Sequence, residues 1–166
     1  MASGDTLCVF NALQNKSSAS NAATIDQDGT DWVLDFADDA TEEAIFEGFM
    51  PASYAGTTGI TATVVWTDTN TTASRQCRWQ LAFERRLGGT DVIGTDSFAA
   101  VQAVSADSNT TTKVIEYDDI TFTDGGEIDS VTAGESFRVK LERDHDHADD
   151  DLGVDAHFLM LILKET

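Results

Sequence analysis

An all-β fold, an antiparallel β-sandwich of jelly-roll type with about eight main strands, follows from three observations. Apolar and polar residues alternate with period two in one segment after another, as they do on half-buried strands. Helical periodicity is scarce. Stretches rich in Gly, Asn, Asp, Ser and Thr separate the alternating segments at the spacing of short strands.

The chain opens with TLCVFNAL (6–13), read as a strand, and continues into NKSSASNAATIDQDGT (15–30), whose small and polar residues suit a connection. Residues 1–30 thus read as an N-terminal strand with either a flexible connection or an arm ordered only on assembly. Residues 31–166 form the sandwich domain. DWVLDF (31–36) and AIFEGFM (44–50) are its first strands. In GITATVVWT the residues Ile60, Ala62, Val64 and Trp66 share one face and Thr61, Thr63 and Thr67 the other. QCRWQLAFERR places Cys77, Trp79, Leu81 and Phe83 inward and Arg78, Gln80 and Glu84 outward. FAAVQAV (98–104) fits a strand or a short helix, because alanine favours helices. KVIEYDDITF (113–122) is a further strand. SFRVKLER sets Phe137, Val139 and Leu141 against Arg138, Lys140 and Glu142, and DAHFLMLIL (155–163) closes the series. Trp32, Trp66 and Trp79 all fall on faces read as inward.

The 30 acidic and 10 basic residues give a net charge of −20, which repels DNA, RNA and anionic membranes and excludes them as partners. Such a surface suits a protein kept soluble at high concentration or in salt water. Cys8 and Cys77 lie in apolar runs, 69 positions apart, and read as buried free thiols. The opening MASGDTLCVF lacks a basic region followed by a long apolar stretch, and no run approaches membrane-spanning length. A protein made in the cytoplasm is expected.

RDHDHADDDLG (143–153) is the densest cluster of chemistry-bearing side chains. His145 and His147 alternate and could point together at a metal, but zinc sites take three or four ligands from rigid elements. The aspartates Asp144, Asp146, Asp149, Asp150 and Asp151 lack the glycine and terminal glutamate of an EF-hand loop. A solvent-exposed loop with at most weak cation affinity is therefore expected. Neither GxSxG nor HExxH occurs, and LGGTDVIG reads as a turn. His157 lies in a strand and reads as packed or interfacial. No catalytic residue, cofactor or metal site is assigned, and the chain reads as a non-enzyme.

Two features suit an interface. Arg75, Arg78, Arg85 and Arg86 concentrate four cations near one strand, a docking surface for an acidic partner unless neighbouring acids pair with them. DAHFLMLIL is apolar on both faces, with Ala156, Phe158, Met160 and Ile162 on one and Leu159, Leu161 and Leu163 on the other. A sandwich covers only one, so the leucines are expected at an interface unless Leu7, Val9 and Leu13 of the N-terminal segment fold over them.

Three segments, VLDFADDATEEAIFEGFMPASYAGTTGITATVVWT, RWQLAFERR and RVKLERDHDHADDDLGVDAHFLMLIL, resemble small β-sandwich proteins encoded among the virion structural genes of tailed bacteriophages. Met50-Pro51, Tyr54-x-Gly56, Trp66, Trp79 and Leu152-Gly153-Val154-Asp155-Ala156 carry the likeness, while HDHADDD exceeds the family's shorter turn. The resemblance implies a capsid decoration (cement) protein on the virion surface. Its partners would be the major capsid protein and further copies of itself as a homotrimer, with the leucine face at the threefold axis. A receptor-binding or carbohydrate-binding fibre domain is the alternative, since jelly rolls also serve as lectin domains. An exposed aromatic platform discriminates the two; with the three tryptophans on inward faces the sequence gives it little material, and Tyr54 or Tyr117 could still provide one.

Overall fold

A computed structural model describes residues 4–166 and folds them as ten strands with no α-helix among the described residues. The strands are β1 (Thr6–Asn11), β2 (Thr24–Asp28), β3 (Asp31–Phe36), β4 (Glu42–Phe49), β5 (Ile60–Asp68), β6 (Gln76–Arg86), β7 (Gln102–Asp107), β8 (Glu116–Phe122), β9 (Ser136–Arg143) and β10 (Ala156–Glu165). All pairings are antiparallel. A six-stranded sheet runs β2-β3-β10-β5-β8, with β1 also paired to β10, and a four-stranded sheet runs β4-β9-β6-β7.

The alternation read from sequence places the core. Phe137, Val139 and Leu141 of β9 and Cys77, Trp79, Leu81 and Phe83 of β6 are buried between the sheets. They meet Leu34 and Phe36 of β3, Ala62, Val64 and Trp66 of β5, and Ile120 and Phe122 of β8. Trp79 sits at the centre, edge-on to Phe36 and Trp66 at centroid distances of 5.0 and 5.8 Å. Two glycines admit close approaches there. A Cβ on Gly48 would lie 2.7 Å from the Phe137 ring and 2.8 Å from the Phe10 ring, and one on Gly59, at φ +94°, would strike the Phe122 carbonyl oxygen.

Two expectations are corrected, on Trp32 and on the leucine face of β10. Within residues 4–30, β1 and β2 are strands of the six-stranded sheet. The segment between them is an ordered arm along the edge of β4: Lys16 N donates to Ile45 O (2.7 Å), Ala23 N to Glu43 O (3.0 Å) and Glu43 N to Asn21 O (2.7 Å). Trp32 is 48% exposed, since it lies at the start of β3, paired with Gln27 in a hairpin with the exposed strand β2. The leucine face of β10 does not form. A register shift between Phe158 and Met160 absorbs Leu159 as an extra residue, so Leu161 and Leu163 turn inward with Ala156 and Phe158 and are fully buried. Leu159, Met160 and Ile162 are half-buried.

Candidate functional site

The four basic side chains read as one surface are dispersed. Arg75 pairs with Asp151 at 3.0 Å, Arg78 Nη1 donates to Ser105 Oγ at 2.8 Å, and Arg85 Nη1 to the Ser130 carbonyl at 3.3 Å. Arg86 lies 3.6 Å from Glu84. Arg78 and Arg86 share the outer face of β6, but eight residues of extended chain separate them by roughly 26 Å.

The acidic loop is built into the fold rather than left to solvent. Arg143 and Asp150 form an ion pair whose side chains are 0% and 1% exposed. Its guanidinium donates to both Asp150 oxygens (3.0 and 2.9 Å) and to the carbonyls of Phe36, Ala37 and Val154. Asp150 also accepts from Arg78 N and Asp151 from Gln76 N, so these two aspartates satisfy the backbone donors of β6. His147 Nδ1 accepts from Asp149 N. Among the described residues no group of three or more His, Cys, Asp or Glu side chains converges as metal ligands. Both cysteines are unbridged, and burial pushes the Cys77 thiol well above its ordinary pKa.

A cleft of about 490 Å³ opens on the outer face of the four-stranded sheet. Cross-strand register assembles it: Phe49, Ser136 and Arg86 form one row across β4, β9 and β6, and Glu47, Arg138 and Glu84 the next. Phe49 is 63% exposed. Glu84 is a buried carboxylate, 2% exposed. It accepts from Arg138 Nε (2.6 Å), from Arg138 Nη2, and from Ser97 N (2.8 Å) and Oγ (3.2 Å). Arg138 also pairs with Asp96 at 2.6 Å and stacks on Phe98, 5.0 Å from the ring centroid. Burial opposes the charge on Arg138, and its bonds to Asp96 and Glu84 outweigh that, leaving its pKa raised.

Arg86 Nη1 lies 3.6 Å from the same Glu84 carboxylate, buried and without a hydrogen bond. The cleft brings together an apolar ring, the Arg86 guanidinium, the exposed carboxylate Glu47 and the Ser136 hydroxyl. An aromatic face with flanking donors and acceptors is the chemistry that a sugar ring, with its C–H face and hydroxyl edge, requires.

No protein-family model and no curated protein matches the chain. Solved structures do. A family 35 carbohydrate-binding module from an environmental isolate aligns with a TM-score of 0.54 and 12% identity, covering 96% of this chain and 98% of the module. A family GH115 4-O-methyl-α-glucuronidase with specificity for decorated arabinogalactans aligns with a TM-score of 0.57 and 10% identity over 99% of this chain, which spans only 18% of that enzyme. The fold is a jelly-roll β-sandwich shared with carbohydrate-binding modules. At these identities the likeness shows architecture alone.

Of the two tyrosines read as able to supply an aromatic platform, one is buried and one is exposed. Tyr54 is buried at 4% exposure, its hydroxyl 3.4 Å from Asp124 and its pKa pushed up to about 12, chiefly by burial. Tyr117 is exposed, on the other sheet. Ala44, Phe46 and Met50 are buried opposite Glu47 and Phe49, but Ile45 is buried as well, and the run AIFEGFM is too continuously apolar for sequence to reveal which face Phe49 takes.

Proposed function

We propose that this chain is a non-catalytic carbohydrate-binding β-sandwich carried on the virion of a tailed bacteriophage, in the role of a receptor-binding or fibre domain. The observation that carries the binding role is the exposed Phe49 ring beside Arg86, Glu47 and Ser136 in one open cleft. The virion setting rests on the sequence resemblance, and the shared architecture of a carbohydrate-binding module agrees with the role without establishing it.

Native electrophoresis through gels containing bacterial surface polysaccharides, together with plant and algal ones, tests the proposal. At least one polysaccharide should retard the protein. Phe49→Ala should weaken that retardation about tenfold or more, as the loss of ~1.5 kcal/mol of stacking requires, without lowering thermal stability. Retardation by none of them, or binding indifferent to Phe49, overturns the assignment.

Capsid decoration, with the major capsid protein as partner, is the second reading. It draws on the same resemblance and on the partly apolar outer face of the six-stranded sheet, where Val9 is 49% exposed.

A further inference from the structure

The outer face of the six-stranded sheet has an apolar centre. Register aligns Tyr117, Val65 and Met160 in one row and Asp119, Thr63, Ile162 and Val9 in the next. Val65 is buried beneath its neighbours, Met160 and Ile162 are half-buried, and Val9 and Tyr117 are 49% and 65% exposed. Asp119, the carboxylate of these two rows, accepts from Thr63 Oγ1 at 2.6 Å.

Charge on this face is polarised along β10. At one end, His157 lies 3.5 Å from Asp28 and 3.8 Å from Asp35, and Asp35 Oδ1 is buried without a hydrogen-bond partner. Lys113 pairs with Asp28 from the loop before β8. At the other end stands Lys164, set between Thr61 and Thr6 and in no ion pair among the described residues.

We propose that a second copy of this chain docks face to face on this surface, about a two-fold axis that crosses β10 near Met160 and Ile162. Such an axis reverses the strand direction, so Lys164 of each copy meets the Asp28 and Asp35 corner of the other while the Met160 row of each copy stacks on the Ile162 row of the other. Complementarity is thus a property of one face paired with itself. The threefold leucine packing expected from sequence gives way to a twofold packing through the opposite side chains of the same strand.

Sedimentation velocity across a wide concentration range, in about 0.5 M NaCl to screen long-range repulsion, tests this. The wild type should show a monomer–dimer equilibrium. Ile162→Asp and Lys164→Glu should each raise the dissociation constant tenfold or more, with folding checked by circular dichroism, and Phe49→Ala on the far sheet should leave it unchanged. A protein that remains monomeric throughout, forms trimers, or dimerises equally well in both face variants overturns the proposal.

Discussion

Two tryptophans that look alike in sequence differ by one hydrogen bond. Trp66 Nε1 donates to Asp118 at 2.8 Å, whereas Trp79 Nε1 is buried with no partner. Both indoles are fully buried, so Trp79→Ala should cost ~3–5 kcal/mol in equilibrium urea unfolding. The phenylalanine replacements should separate the two sites. Trp79→Phe removes an unbonded nitrogen, but Trp66→Phe leaves a half-buried carboxylate without its donor and should cost an additional ~1–3 kcal/mol. Equal losses would mean that the Asp118 bond contributes nothing. Asp35 gives a pH test at the same scale. Burial first, then the charge of Asp155, raises its pKa, with Asp26 and Glu42 adding to the effect and His157 opposing it. The folded state therefore holds this proton to higher pH than the unfolded chain, and stability falls as pH rises through that interval. Asp35→Asn should raise the melting temperature at pH 7, and the gain should vanish as pH falls below the ordinary carboxylate value. A gain of the same size at both ends would assign the effect to packing rather than to charge.

Elements were legible where apolar residues alternate with polar ones. The inward sets read for β5, β6 and β9 are buried, although β5 also buries Thr63, Val65 and Thr67 and β6 also Ala82 and Glu84 on their outer faces. Strand β2 gave no signal, because TIDQD lies exposed at a sheet edge and has no buried face to pattern. In β10 the composition was legible and the geometry was not: a bulge exchanges inner and outer residues partway along, and nothing in the run of apolar side chains marks where. Part of the candidate site was hidden for the same reason, since Phe49 belongs to a strand apolar on both sides at that end. The acidic loop misled in another way. Local composition reads as solvated charge, and only the fold shows that Arg143, seven residues before Asp150, reaches it from inside the sandwich. Asp150→Ala leaves the Arg143 guanidinium buried and unpaired, so it should cost ~3–5 kcal/mol, while Asp146→Ala, at an exposed position of the same loop, should fall within about 0.5 kcal/mol of wild type. Parallel urea titrations compare them, and a small loss at Asp150 would show that water reaches Arg143 readily.

For the whole molecule, the sign of the charge balance sets how stability responds to salt. Acidic groups outnumber basic ones by 20, and most of the cations are already paired: Arg75 with Asp151, Arg86 and Arg138 with Glu84, Lys113 with Asp28, Lys140 with Glu43, and Arg143 with Asp150. What remains is a shell of like charges whose mutual repulsion opposes the compact state. Salt weakens exposed pairs such as Lys113–Asp28, but a surface pair contributes only ~0–1 kcal/mol, and the sequestered Arg143–Asp150 pair is hardly screened. Screening of the repulsion should therefore dominate, and the melting temperature should climb by about 5 °C or more between roughly 0.05 and 0.5 M NaCl, over which the Debye length falls from ~14 to ~4 Å. Because screening acts through the Debye length, most of the climb should be complete by about 0.5 M, and KCl should match NaCl. A continued rise at higher salt that is steeper in sulfate would point to solute exclusion from the surface instead. A melting temperature that falls with added NaCl would show that the ion pairs outweigh the repulsion and that the acidic shell is no handicap in fresh water.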